Sequence, residues 1–256
     1  MPLAAGLSWV RRGFRLFGQA PLMWLLAVLV FFLFGIVVSL VPILGSIVVQ
    51  VLTPVFTAGF MVACRSLETG GDFELEHLLA GFKLRFAKLA VIGLIFVAGC
   101  VAILLVFALF AGFSVLGAIM TGQTNPDDLM AILMASAMPI LLGLLIMAAL
   151  FIPLLAAYWF APMLVVMHDV APVAAMKSSF GACLRNFLTY LVYGVVMVVL
   201  GVIALIPAIV PILGWAVTGI AFVVLYAINT AAAYAAYRDI FTDEAAAPAP
   251  PRPPGF

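Results

Sequence analysis

Long apolar runs constrain this chain more than any other feature of its sequence. Six runs reach the roughly 20 residues needed to cross a hydrocarbon core of about 30 Å. They cover residues 22–41, 44–64, 89–113, 137–163, 188–208 and 212–235. The backbone in lipid must satisfy its own hydrogen bonds, and the runs lack the polar alternation of a barrel strand. The sequence therefore predicts an all-α fold, a polytopic membrane protein with six transmembrane helices.

The composition excludes a soluble protein. Only 8% of the 256 residues are charged and 68% are hydrophobic, whereas about a quarter of a soluble domain is charged. The formal net charge of +1 gives no basic excess that would indicate nucleic acid as a partner. Cys64, Cys100 and Cys183 fall at or inside apolar runs, which argues against a disulfide framework.

The lysines and arginines predict the orientation. All 11 of them lie before the first run, between runs 2 and 3, between runs 4 and 5, or after run 6. The alternate connections carry none, so the positive-inside rule places both termini in the cytoplasm. Pro54, Pro139, Pro153 and Pro162 lie within runs, where we expect them to kink helices without ending them.

An internal repeat is predicted by a duplicated motif. Val41-Pro42-Ile43-Leu44-Gly45 recurs at residues 210–214, each time at the outer turn of a hairpin. Residues 7–18, 74–86 and 173–185 precede the three hairpins, and each pairs an aromatic apolar face with a basic face. This pattern is typical of interfacial amphipathic helices, with Phe14, Phe82 and Phe180 in equivalent places. The alternative is that any link between hairpins tends to become amphipathic.

The predicted domain covers residues 1–240. It contains three units, at about 7–64, 75–167 and 173–237, and each is an interfacial helix followed by a transmembrane hairpin. Residues 241–256 are rich in proline, which predicts a disordered cytoplasmic tail.

A resemblance to a known family rests on residues 158–195. It is carried by Phe160-Ala161-Pro162, Leu164-Val165, His168-Asp169-Val170, Ala175-Met176-Lys177-Ser178-Ser179-Phe180 and Ala182-Cys183-Leu184-Arg185-Asn186. In these motifs the chain resembles a proteobacterial family of BPSS-type integral membrane proteins. It is broadly similar to YciC-like proteins and to the membrane domain of some glycerophosphodiesterases. The resemblance implies a bacterial inner-membrane location and six helices, and it transfers no catalytic residues.

The densest polar group predicts a contact for a lipid headgroup or a partner protein. It consists of His168, Asp169, Lys177, Ser178, Arg185 and Asn186, at the predicted cytoplasmic interface. Lys177 and Arg185 would hold a phosphate, while Ser178 and Asn186 would supply hydrogen bonds. The alternative interpretation is an ordinary positively charged helix end.

We find no pattern that predicts a catalytic, cofactor or metal site. The acidic stretch 68–77 lacks the spacing that aligns metal ligands on one helix face. The six runs contain no charged side chain. Their main polar groups, which either bond within the helix bundle or contact a substrate, are Gln50, Thr53, Thr57, Ser136, Thr218 and Asn229.

The function predicted from these features is non-enzymatic. Anionic lipids of the cytoplasmic leaflet are the expected partners, with a protein partner or a second copy left open, in envelope organisation or assembly. The alternative is a transporter or channel for a small or lipid-like substrate, and an intramembrane enzyme has the least support.

The topology can be tested by cysteine accessibility. Thr124 lies in a predicted outer connection, so Thr124→Cys should react with an impermeant thiol reagent added to intact spheroplasts. Reaction only after the inner membrane is permeabilised would contradict the predicted orientation.

Overall fold

The protein is helical along almost its whole described length. The computed structural model describes residues 1–120 and 126–242, and of residues 110–111, 113–120 and 126–136 it describes the backbone alone. Within these ranges the α-helices are α1 (Ala4–Gln19), α2 (Pro21–Ser39), α3 (Leu44–Glu68), α4 (Ala80–Leu84), α5 (Phe86–Met120), α6 (Pro126–Trp159), α7 (Ala161–His168), α8 (Pro172–Arg185), α9 (Phe187–Leu205) and α10 (Leu213–Phe241). Two short 3-10 segments cover Leu75–Leu79 and Ile206–Ile209.

The prediction of six membrane-spanning helices is confirmed. The described residues contain six helices that are long and apolar enough to cross a bilayer. They are Pro21–Ser39, Leu44–Glu68, Phe86–Leu109, Ala137–His168, Phe187–Ile209 and Leu213–Phe241. The connection that holds Thr124, which is predicted to face outward, and most of the proline-rich tail, from residue 243 onward, lie outside the described residues.

The two copies of the duplicated motif adopt the same backbone conformation. Ile43 has φ 63° and ψ −60°, and Ile212 has φ 64° and ψ −69°. In each copy the leucine N–H donates to the proline carbonyl two residues earlier, at 2.6 Å and 2.7 Å. Positive φ is rare for a β-branched residue, so the same unusual turn is encoded twice. The larger three-unit repeat stays a prediction.

Helix α1 packs between α9 and α10 at two glycines. A Cβ on Gly6 would lie 2.5 Å from the Thr189 carbonyl oxygen of α9, and one on Gly13 would lie 2.7 Å from the Ile228 carbonyl oxygen of α10. Between them Trp9 is fully buried. Since Gly6 and Gly13 are about two helical turns apart, one face of α1 contacts both helices.

An adjacent face of α1, about 100° round the helix from the glycine contacts, is exposed. Leu7 and Phe14 are 48% and 45% exposed. Val10, which the sequence pattern places on the same face, is 3% exposed and packs within the bundle. The face of α1 that packs against the bundle is therefore rotated from the predicted apolar face. The sequence pattern does not reveal this face because two of its contacts are made by glycines, which add no apolar side chain to the pattern. The depth of α1 in the membrane stays a prediction.

The second predicted interfacial helix, residues 74–86, is wrong as a single helix. It is divided into the 3-10 segment Leu75–Leu79 and the five-residue α4, and α5 begins at Phe86. Glu74 and His77 form a reciprocal capping box that fixes the start of the 3-10 segment. Phe82 packs edge to face on Phe56 of α3, with ring centroids 5.4 Å apart. Packing against α3 therefore determines the path of this segment.

Pro54, Pro139 and Pro153 lie inside continuous helices, as predicted. Pro162 lies at the start of α7, after a one-residue break at Phe160 that separates α7 from α6 within the single span Ala137–His168. Ser179 of α8 bridges the break: its hydroxyl accepts from the Phe160 N–H at 2.9 Å and donates to the Ala156 carbonyl at 2.6 Å. A proline lacks the N–H that continues a helix, and Ser179 satisfies backbone groups left by the break.

The glycine contacts of α1 predict opposite effects for one added methyl group. Gly13→Ala should lower the free energy of unfolding by about 1–3 kcal/mol, because its Cβ overlaps the α10 backbone. Gly18→Ala, in the same helix, should be neutral or stabilising by up to about 1 kcal/mol, since no atom lies within 4 Å of its Cβ. Thermal unfolding in detergent measures both, and equal midpoints would contradict the close packing of α1.

Candidate functional site

Ion pairs and polar bonds join several helices at the end of the bundle that carries the charged residues, which we call the charged end. It includes Arg12, Glu68, Lys88, Asp169, Arg238 and Asp239. Arg12 lies in the middle of α1 and the other groups lie at helix ends or in connections, so all are outside the apolar middle of the spans. The charged end is where the predicted site residues are found.

Asp239 fixes the N-terminal helix to the C-terminal one. Its carboxylate accepts hydrogen bonds from the Trp9 indole N–H and from Arg12 Nη1, both at 2.8 Å, and from Arg12 Nη2. The side chains of Arg12 and Asp239 are 31% and 27% exposed. A bidentate, charge-assisted contact of this kind is among the stronger polar interactions in proteins.

Glu68 and His168 connect α3 and α7 to α10. Glu68 Oε2 accepts from the Tyr234 hydroxyl and from Arg238 Nη1, each at 2.7 Å. The Tyr237 hydroxyl lies 2.6 Å from His168 Nε2 in a shared hydrogen bond. His168, predicted as a headgroup contact, therefore has a partner within the protein.

Asp169 is also engaged within the protein. It lies at the end of α7 in the left-handed region, with φ 56°, where its carboxylate faces two cations near the start of α5. Lys88 Nζ and Arg85 Nε lie 2.7 Å and 2.8 Å from Asp169 Oδ1. The hydrogen bond from Lys88 and the nearby positive charges hold the pKa of Asp169 below its usual value. Asp169 is therefore ionised at neutral pH and pairs α7 with α5.

The remaining predicted site residues lie on or beside α8. Lys177, Ser178 and Arg185 are exposed, and no ion pair involves them among the described residues. Asn186 donates to the Ala182 carbonyl and accepts from the Met1 amino group, at 3.0 Å each. No described contact links this group to His168 or Asp169.

Sequence reasoning selected Ser178 and missed its neighbour. Ser179 is the buried serine, and its hydroxyl holds the break between α6 and α7. The available signal was Pro162, because a helix interrupted by proline leaves backbone groups that need a partner.

Arg11, Arg15, Lys177 and Arg185 share a further property that the sequence does not reveal. All four are exposed and lack an ion-pair partner within the described ranges, two on α1 and two on α8. By contrast, Lys83 pairs with Glu76, while Arg85 and Lys88 pair with Asp169. Exposed positive charge without an ion-pair partner among the described residues is thus found on α1 and α8, and also at Arg65 of α3, whose Nη1 donates to Met167 Sδ.

Comparison with known proteins identifies a relative from bacteria. The probable inner membrane protein BTH_II0599 of Burkholderia thailandensis is 32% identical over 197 residues, which cover 74% of this chain and 70% of the relative. The chain belongs to the family of that protein. With its six apolar helices it is a multi-pass inner membrane protein.

No family model matches the chain. No solved structure matches it either. The resemblance to YciC-like proteins and to glycerophosphodiesterase membrane domains stays a prediction.

The Asp239 contact predicts a loss of stability when the carboxylate is removed. Asp239→Ala leaves the donors of the buried Trp9 and the partly buried Arg12 without their acceptor, which should cost about 1–2 kcal/mol. The matched control is Lys83→Ala, which breaks a pair whose side chains are 59% and 66% exposed and should cost at most about 1 kcal/mol. Thermal unfolding in detergent compares them. Equal losses would mean that Asp239 is no more important than a surface ion pair.

Proposed function

We propose that this protein binds anionic lipid at the cytoplasmic leaflet through the exposed cations of α1 and α8, without catalysing a reaction. One observation carries the proposal: Arg11, Arg15, Lys177 and Arg185 are exposed and have no ion-pair partner among the described residues. An anionic headgroup supplies the missing counter-charge. Each cation near such a surface contributes about 1 kcal/mol.

The apolar neighbours of these cations favour a lipid surface over an acidic protein. On α1 the exposed Leu7 and Phe14 accompany the two arginines, and on α8 Phe180 and Leu184 are 38% and 63% exposed. Cations beside exposed apolar side chains suit the boundary between headgroups and acyl chains, where both kinds of group are stabilised. In this proposal the protein contributes to envelope organisation or assembly.

The distribution of basic residues supports the cytoplasmic leaflet as the place of binding. All 11 lysines and arginines lie in the termini or in connections on the same predicted side. Since lysine and arginine are retained in the cytoplasm during insertion, α1 and α8 would face the inner leaflet.

Three polar groups within the spans favour a packed bundle over a transport path, whereas the buried Thr218 hydroxyl has no hydrogen-bond partner among the described residues. Thr53 and Thr57 donate to carbonyls of their own helix, and Asn229 accepts from the Tyr193 hydroxyl. Ala227, Ala231 and Ala235 of α10 are buried. Small residues at a dry helix interface allow close packing without a substrate.

Lipid retention tests the proposal. Lys177→Ala with Arg185→Ala should weaken retention of phosphatidylglycerol by up to about 2 kcal/mol, and salt should narrow the difference. Native mass spectrometry of the protein extracted in mild detergent counts the bound lipids. Thr124→Cys labelling in the same background first checks that the double variant is correctly inserted.

The matched control removes two cations that already have partners. Lys83→Ala with Lys88→Ala changes the formal charge by the same amount, but these residues are paired with Glu76 and Asp169. It should therefore reduce phosphatidylglycerol retention less than the α8 pair does. Equal retention by the α8 variant and the wild-type protein would overturn the proposed function.

A further inference from the structure

Two apolar grooves flank α8 near the charged end of the bundle. The first lies between α6, α8 and α9, has a volume of about 450 Å³, and includes Ala156, Leu184, Phe187 and Gly194 in its lining. We call it the Phe187 groove. The second lies between α5, α6 and α8, has a volume of about 430 Å³, and includes Ile95, Ala157 and Met176 in its lining. We call it the Met176 groove.

The two grooves share a wall. Phe180 and Pro153 line both of them, so the Phe180 ring stands between one groove and the other. Pro153 lies inside α6, and Phe180 projects from α8 with 38% of its surface exposed. Two separate apolar channels on either side of one aromatic ring match the two acyl chains of a glycerophospholipid.

One groove has an exposed cation in its lining, and a second exposed cation lies further along α8. Lys177 lines the Met176 groove, and Arg185 follows Leu184 of the Phe187 groove directly in sequence. The eight-residue separation of the two cations corresponds to about 12 Å along α8. Both long side chains are exposed and without an ion-pair partner in the described part of the chain, so they can approach one phosphate between them.

We propose that one anionic diacyl glycerophospholipid straddles Phe180, with an acyl chain in each groove and its phosphate between Lys177 and Arg185. This inference rests on the proposed function and adds the binding site and the class of ligand. The α6 and α9 walls belong to membrane spans, so a lipid reaches the grooves from the bilayer.

Photocrosslinking in nanodiscs tests the site with the full-length protein. The probe is phosphatidylglycerol with a diazirine in the middle of one acyl chain, and the control probe is phosphatidylcholine with the same chain. Irradiation followed by peptide mass spectrometry should locate phosphatidylglycerol adducts at residues of both grooves. The phosphatidylcholine probe should give fewer of them.

A glycine that faces open space allows one groove to be filled without disturbing the fold. Gly194 lines the Phe187 groove, and no atom lies within 4 Å of a Cβ placed there. Gly194→Leu should therefore abolish adducts in the Phe187 groove and reduce phosphatidylglycerol retention. Gly201→Leu is the matched control, because Gly201 is also in α9, has no atom within 4 Å of its Cβ and does not line the groove. It should behave as wild type.

The outcomes separate this inference from the proposed function. If Lys177→Ala with Arg185→Ala lowers phosphatidylglycerol retention but adducts fall outside both grooves, the groove site is overturned and the proposed function stands. If adducts fill the grooves equally with both probes and the cation variant has no effect, the lipid is held without charge recognition, and both the anionic ligand and the proposed function fail. Adducts unchanged by Gly194→Leu would also overturn the groove site.

Discussion

The need to satisfy backbone hydrogen bonds without water determines how this chain can bend. Six spans lie in apolar surroundings, so each departure from regular helix requires a replacement partner. At the break between α6 and α7, Ser179 provides it from a neighbouring helix. At the turns that follow Pro42 and Pro211, the leucine N–H donates to the proline carbonyl two residues before it. The sharp changes of direction therefore occur where a specific residue supplies the hydrogen bond that the regular helix would have made.

Charge serves two purposes at one end of the bundle. Arg12, Arg238 and Lys88 are used to join helices, each through a carboxylate on another element. Other cations have no ion-pair partner among the described residues, and Arg11, Arg15, Lys177 and Arg185 of α1 and α8 are exposed examples. The ion pairs between helices stabilise the bundle, and the unpaired cations make part of its surface positive. Whether a charged residue has an ion-pair partner on another element therefore distinguishes charges that stabilise the fold from charges that remain on the surface.

The sequence predicts the spans well because each run of apolar residues is decided locally by its length and composition. Packing between helices depends on contacts between residues far apart in sequence, which local composition does not reveal. The predictions that differ from the structure are of this kind. Residues 74–86 carry a helical apolar pattern, yet contact with α3 through Phe82 divides them. α6 ends three residues before Pro162, and Ser179 of α8 bonds the Phe160 N–H and the Ala156 carbonyl at the break. At the charged end, the density of polar residues predicts a site at Lys177 and Arg185 and stays a prediction, whereas the internal partners of His168 and Asp169 lie on α10 and near the start of α5, which local sequence does not reveal.

The docking of α1 also has a consequence for the order in which the molecule can be completed. Trp9 and Asp239 are 230 residues apart, so α1 can make this contact only after α10 has been made. Until then Gly13 and the Trp9 indole N–H lack their partners on α10. A nascent chain with five spans already in the membrane still lacks the contacts between α1 and α10. Formation of this interface is therefore a late event between residues far apart in sequence. Quality control that recognises an undocked α1 would therefore detect every chain that stops before α10.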